Sequence, residues 1–166
     1  MLFRSFVSVA SPYHKTNRLY ALDGEGGLWV SVNAGRAWSR LRADGLPAGC
    51  VTVAAVRDLI TEPDIVYVAC GADGLWVSHD LGASFTKVDG IGQARSVAMT
   101  TDDQDLVLVA AGDGIYRSAD RGKTFARVSD AVASAVAFDP RNRRLAYAAA
   151  DGRLLRSTDS GTTWPS

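Results

Sequence analysis

One eight-residue pattern occurs four times in this chain and restricts the fold more than anything else in the sequence. It reads SVNAGRAW at 31–38, SHDLGASF at 78–85, SADRGKTF at 118–125 and STDSGTTW at 157–164. The general form is Ser-x-Asp-x-Gly-x-Thr-aromatic, with Asn33 standing for Asp in the first copy. Its defining residues are Ser31, Asn33, Gly35 and Trp38; Ser78, Asp80, Gly82 and Phe85; Ser118, Asp120, Gly122 and Phe125; and Ser157, Asp159, Gly161 and Trp164. Successive leading serines lie 47, 40 and 39 residues apart. A period of about 40–50 residues is that of one four-stranded propeller blade.

The flanks repeat as well. GLWVS, GLWVS, GIYRS and RLLRS lead into the four copies. Earlier in each unit stands a Tyr/Val/Ala segment around Tyr20, Tyr67, Leu108 and Tyr147, and before that a pair, Val9-Ala10, Val53-Ala54, Val97-Ala98 or Val136-Ala137. Each unit reads as four short strands with turn signals between them and no helical period. The expectation is one all-β domain, 1–166, built of four-stranded antiparallel blades with repeats over about 6–41, 50–88, 95–128 and 134–166. Four units stand at the lower end of the usual 4–8 blades. The fourth stops at Trp164-Pro165-Ser166, where the others continue as WSRL, FTKV and FARV. The propeller is therefore expected to be small or partial: closed by Met1–Phe6 as its last outer strand, completed by self-association, or a fragment of a larger propeller.

Within the motif, the Asp can accept N–H groups of its own turn, the glycine can turn left-handed at little cost, and the aromatic returns to the core. Four equivalent copies point to a structural role. The motif resembles the Asp-box, or bacterial neuraminidase repeat, found in sialidases, xyloglucan hydrolases, sortilin-type receptors and photosystem II assembly factors. The resemblance implies a β-propeller whose ligand face lies opposite the boxes, on loops 22–27, 42–50, 70–74, 89–95, 111–114, 129–134 and 150–153.

On those loops the candidate ligand-face residues are Glu25, Asp44, Asp73, Asp89, Arg95, Asp113, Asp130 and Asp151. A two-carboxylate glycosidase draws its acid and its base or nucleophile from such residues, but Asp-Gly and Asp-Ala turns account for most of them, and Glu25 is the least turn-like. No tyrosine is unique by position and no arginine triad gathers on this face, so no catalytic residue is assigned. The expected function is a non-catalytic module binding a protein or glycan, the alternative a glycoside hydrolase or part of one. The opposite rim collects Arg36, Arg121, Lys123, Arg141, Arg143 and Arg144.

Composition narrows the remaining classes. Eighteen basic and 18 acidic residues give a formal net charge of zero, which argues against a nucleic-acid partner. No apolar run reaches the roughly 20 residues of a membrane span. His14 and His79 have no ligand spacing, and neither metal nor cofactor is expected. The first residues show no secretory pattern, which favours a cytoplasmic location if Met1 is the native start. Cys50 and Cys70 are accordingly expected as buried free thiols, with a cross-strand disulfide as the alternative.

Overall fold

The computed structural model describes residues 5–12, 17–57, 63–100 and 105–165. Blade 1 is β1 (Phe6–Ala10), β2 (Leu19–Asp23), β3 (Leu28–Ser31) and β4 (Ser39–Arg40). Blade 2 is β5 (Thr52–Arg57), β6 (Asp64–Ala69), β7 (Leu75–Ser78) and β8 (Thr86–Lys87). Blade 3 is β9 (Ala94–Met99), β10 (Val107–Ala111), β11 (Gly114–Ser118) and β12 (Ala126–Ser129), and blade 4 is β13 (Ala133–Phe138), β14 (Ala146–Ala150) and β15 (Arg153–Ser157). Each sheet is an antiparallel meander in chain order, and the last has three strands among the described residues. This is a partial propeller. Phe6 pairs with Asp23 inside blade 1, so it does not serve as the last outer strand; Met1–Arg4 lie outside the described residues.

The register explains the repeated pairs. Val9, Val53, Val97 and Val136 sit opposite Ala21, Val68, Val109 and Ala148 on the second strand of each blade. Inner strands β1, β5, β9 and β13 pack against one another in succession. In blades 2 and 3 the second strand is covered on both faces by neighbouring blades, so its sequence is a largely continuous apolar run instead of an alternating one; every residue of β6 and β10 is buried. Three apolar clusters fill the three junctions. Tyr20, Leu22 and Leu28 pack with Val53 and Val68, Tyr67 and Leu75 with Val97 and Val109, and Leu108 and Ile115 with Val136 and Ala148.

The boxes close the hairpins between third and fourth strands. In the second box Ser78 Oγ donates to Asp80 Oδ1 (2.7 Å) and accepts the N–H groups of Asp80 (3.3 Å) and Gly82 (2.8 Å). Asp80 also accepts Ser84 N–H (2.9 Å) and Ser84 Oγ (2.6 Å). Thr124 on Asp120 and Thr163 on Asp159 repeat the arrangement. The first box keeps the serine bonds and Ala37 N–H on Asn33 Oδ1 (2.8 Å), but Ala37 has no hydroxyl to add. Burial raises the Asp80 pKa, yet the Ser84 and Ser78 hydrogen bonds outweigh it and bring the carboxyl down to about 2. Asp120 is lowered in the same way, its burial opposed by the bonds from Thr124, and Asp159 is lowered chiefly by those from Thr163.

The second, third and fourth boxes also touch the blade before them. A Cβ on Gly82 would meet Leu41 and Leu28, on Gly161 Leu108, and on Gly122 the Tyr67 ring. Tyr67 Oη donates to the Arg121 carbonyl (2.7 Å), and Tyr20 Oη to Asp64 of blade 2 (3.0 Å). Burial pushes both phenols well above their ordinary value, with Asp64 beside Tyr20 and Asp120 near Tyr67 adding to the rise.

The cysteine expectation is corrected. Cys50 and Cys70 form a disulfide, with S–S 2.00 Å and Cα–Cα 3.7 Å. Val51 N–H on the Ala69 carbonyl extends the β5–β6 ladder by one step and brings the two buried cysteines side by side. The free-thiol expectation rested on the missing export pattern, which carries no information about cross-strand geometry.

Two outcomes follow from this frame. Non-reduced, denatured protein should titrate no free thiol, and the double variant Cys50→Ser/Cys70→Ser should lose about 2–4 kcal/mol in denaturant unfolding, as expected for opening a closed loop of this length. The three box carboxylates are more acidic folded than unfolded, so their contribution is complete above about pH 5 and lost as pH falls from about 4 toward 2. Thermal melts should show that loss, and Asp80→Asn/Asp120→Asn/Asp159→Asn should flatten it.

Candidate functional site

The loops at the ends opposite the boxes are set by the hairpins between second and third strands and by the crossings between blades. In blade 1, buried Asp23 organises the first of these. Its carboxylate accepts Glu25 N–H (3.0 Å), Gly27 N–H (2.6 Å) and Trp29 Nε1 (2.8 Å). Glu25 is thereby carried to an exposed position at the loop tip. Asp44 is exposed and paired with Arg42 Nε (2.9 Å). Its backbone bridges to Ser84, exchanging hydrogen bonds with Ala83 and Phe85 of the second box.

In blade 2, Asp73 is an exposed turn residue; its N–H donates to the Cys70 carbonyl and its own carbonyl accepts Trp76 Nε1 (3.1 Å). Asp89 is exposed in the turn before blade 3. Arg95 lies where three inner strands converge. Its Nη1 reaches the Ala133 carbonyl (3.4 Å) at the start of β13, and its own carbonyl accepts Thr52 Oγ1 (2.8 Å) at the start of β5.

A further polar group stands on blade 3, beside its junction with blade 4. Arg127 pairs with Asp130 (3.2 Å) and donates to the Asp113 carbonyl. The Asp113 carboxylate accepts Tyr116 Oη (2.7 Å). Burial followed by this bond raises the Tyr116 phenol. Asp130 and Asp151 line one shallow groove of about 340 Å³ with Ser129, Arg153 and half-buried Trp164. Asp151 is held at the lip by its N–H on the Val132 carbonyl (3.1 Å) and by a left-handed backbone (φ 50°). Of the eight candidate residues, Asp130 and Asp151 share this groove, and Glu25, Asp44, Asp73 and Asp89 are carried on other loops. Two residues that sequence reading passed over belong here, Arg127 and Trp164. Arg127 follows the third box in an outer strand and looks like an ordinary exposed cation; Trp164 was assigned wholly to its box.

On the box side, Arg121 pairs with Asp105 (2.6 Å) and Arg117 Nε donates to the Ser160 carbonyl (2.8 Å). Among the described residues no group of three or more His, Cys, Asp or Glu side chains could hold a metal ion. Among the described residues no helix is long and apolar enough to cross a membrane.

Comparison with known proteins agrees with this architecture. The family described as the BNR-Asp box repeat matches residues 115–128. A xyloglucanase of Hypocrea jecorina (strain QM6a) is 29% identical over 156 residues, which cover 87% of this chain and 19% of that protein. A xyloglucanase of Paenibacillus sp. is 32% identical over 161 residues, covering 86% and 15%. The chain thus spans less than a fifth of the length of these relatives. Among solved structures, an ancestral GH74 enzyme superposes with a TM-score of 0.77 at 18% identity, over 97% of this chain and 24% of that one. The chain carries the BNR-Asp box repeat at 115–128 and shares the propeller architecture of these neighbours, which is consistent with the Asp-box β-propeller superfamily.

Proposed function

We propose that this chain is a non-catalytic Asp-box propeller module that takes a protein or glycan ligand on its loop face, with the groove between blades 3 and 4 as its contact point. The exposure of the acids in that groove carries the reading. A glycosidase keeps one carboxyl protonated by burying it and sets a second carboxylate across the sugar. The Asp130 side chain is 91% exposed and ion-paired, and Asp151 is exposed, so the dry surroundings of an acid catalyst are missing around both. Exposed carboxylates beside Arg153 and the Trp164 ring suit another task. They can hydrogen-bond sugar hydroxyls or pair with a partner's cations while the ring covers an apolar patch.

The xyloglucanase relatives favour a second reading, a glycoside hydrolase or part of one that draws its carboxylate pair from the loop-face acids. One experiment separates the two. The protein is screened on glycan and peptide arrays and titrated with xyloglucan oligosaccharides, while turnover of fluorogenic glucoside and sialoside substrates is followed in parallel. Binding without turnover is expected, weakened about tenfold, or about 1.4 kcal/mol, by Arg153→Ala or Asp151→Asn. Turnover that disappears in Glu25→Gln or Asp151→Asn would establish the hydrolase instead. Silence on every array would remove the binding reading.

A further inference from the structure

The two end blades present the two halves of one repeated interface. At each internal junction the front of one blade meets the back of the next. The front position on the third strand is Leu28, Leu75 and Ile115 in blades 1 to 3, opposite Leu22, Ala69 and Ala110. These three are 1%, 0% and 0% exposed. The same position in blade 4 is Leu154, opposite Ala149, and it is 74% exposed. The back position on the inner strand is Val53, Val97 and Val136 in blades 2 to 4, exposed by 4%, 8% and 7%; in blade 1 it is Val9, at 64%. Phe6 and Val7 extend that apolar back face, where Phe6 packs edge-on to Trp29 and tilted against Trp38.

The polar part of the junction is divided between the ends in the same way. At two of the three junctions the acceptor is the carbonyl just before the box glycine; at the first, Tyr20 donates to Asp64 instead. Tyr67 holds the Arg121 carbonyl (2.7 Å) at the junction of blades 2 and 3. At the next junction Leu108 replaces the tyrosine, and Arg117 holds the Ser160 carbonyl instead (2.8 Å). Blade 4 carries both donors at the equivalent positions, Tyr147 and Arg156, paired in register as Leu108 and Arg117 are. Neither side chain has a polar partner among the described residues. In the first box the equivalent acceptor is the Ala34 carbonyl. Ala34 has φ 57°, against 61° for both Arg121 and Ser160, so the first box turns through the same left-handed form as theirs.

We propose that a second copy of this chain occupies both faces. The front of blade 4 in one copy packs on the back of blade 1 in the other, Leu154 enters the junction beside the second copy's Val9 and Trp29, and Tyr147 and Arg156 donate to its Ala34 carbonyl. The contact continues the interface already formed three times within each chain. A head-to-tail contact either propagates or closes into a ring. Two copies close it with eight blades, within the ordinary range, and bury both apolar ends of both chains. A pair joined through like faces would leave either Val9 or Leu154 in water, where an apolar patch of this kind is costly. The assembly is independent of which ligand the loop face takes.

The test is molar mass in solution by light scattering, with far-UV circular dichroism as the control on folding. The wild-type chain should show twice its 17.6 kDa mass. Val9→Asp and Leu154→Asp, at opposite ends and both exposed in the single chain, should each give a folded species of half that mass. A wild-type monomer would overturn the proposal. So would a dimer that is lost in one variant and kept in the other, because only a like-face pair ignores one end. Leu154→Arg serves as a second probe of the same end if the aspartate variant fails to fold.

Discussion

The serine hydroxyl at the head of each box is the interaction on which the rest of the structure depends. Ser31, Ser78, Ser118 and Ser157 are all buried to 1% exposure or less, and each hydroxyl donates once and accepts the N–H of the box glycine. That ring of bonds fixes two successive left-handed residues, such as Arg121 at φ 61° and Gly122 at φ 75°. In the second to fourth boxes the turn places the glycine against the blade in front, too close for an added side chain to fit without a shift. A local polar turn thereby becomes the tertiary contact that sets one blade against the next. The aspartate reinforces it, and the first box shows that Asn is enough to keep the turn while giving up the hydroxyl bond at position 37.

With the boxes holding one end of every blade, the loops at the other end are free to differ. The repeated residues report folding; the loop-face residues worth testing are those whose contacts differ from blade to blade. Arg95 ties three inner strands together, and Arg127 links two loops of blade 3. Asp130, Asp151 and Arg153 gather at the last junction. The loop face is asymmetric because its polar groups are linked differently in each blade, a property that a fourfold sequence pattern conceals.

The period, the boxes, the strand order and the shortened last blade could all be read from the sequence, because each is a local pattern repeated four times. What could not be read depends on contacts between units. Asp44 belongs by sequence to a loop between blades, yet its backbone is stitched to the second box. The third strand carries Val30 and Val77 in blades 1 and 2 but Arg117 and Arg156 in blades 3 and 4, and nothing local in the sequence says what those arginines do. Arg117 crosses the junction to the Ser160 carbonyl, filling the role that Leu108 cannot perform where Tyr67 does elsewhere. The Cys50–Cys70 bond needs the one-step extension of the β5–β6 ladder, which spacing alone does not reveal.

The central claim is that box glycines hold the blades together by contact with the preceding blade, beyond their conformational freedom. Gly122 and Gly35 separate the two effects. Both are left-handed, at φ 75° and 83°, so alanine carries the same backbone penalty of about 1–2 kcal/mol at either. A Cβ on Gly122 would stand 2.6 Å from Tyr67 Oη of the blade in front, whereas on Gly35 it would meet Leu19 of its own blade at 3.4 Å. The most direct measurement is equilibrium unfolding of Gly122→Ala and Gly35→Ala in a Leu154→Asp background, which keeps the end faces apart. The account predicts that Gly122→Ala costs more by about 1–3 kcal/mol, the usual cost of overpacking. Equal costs would contradict it.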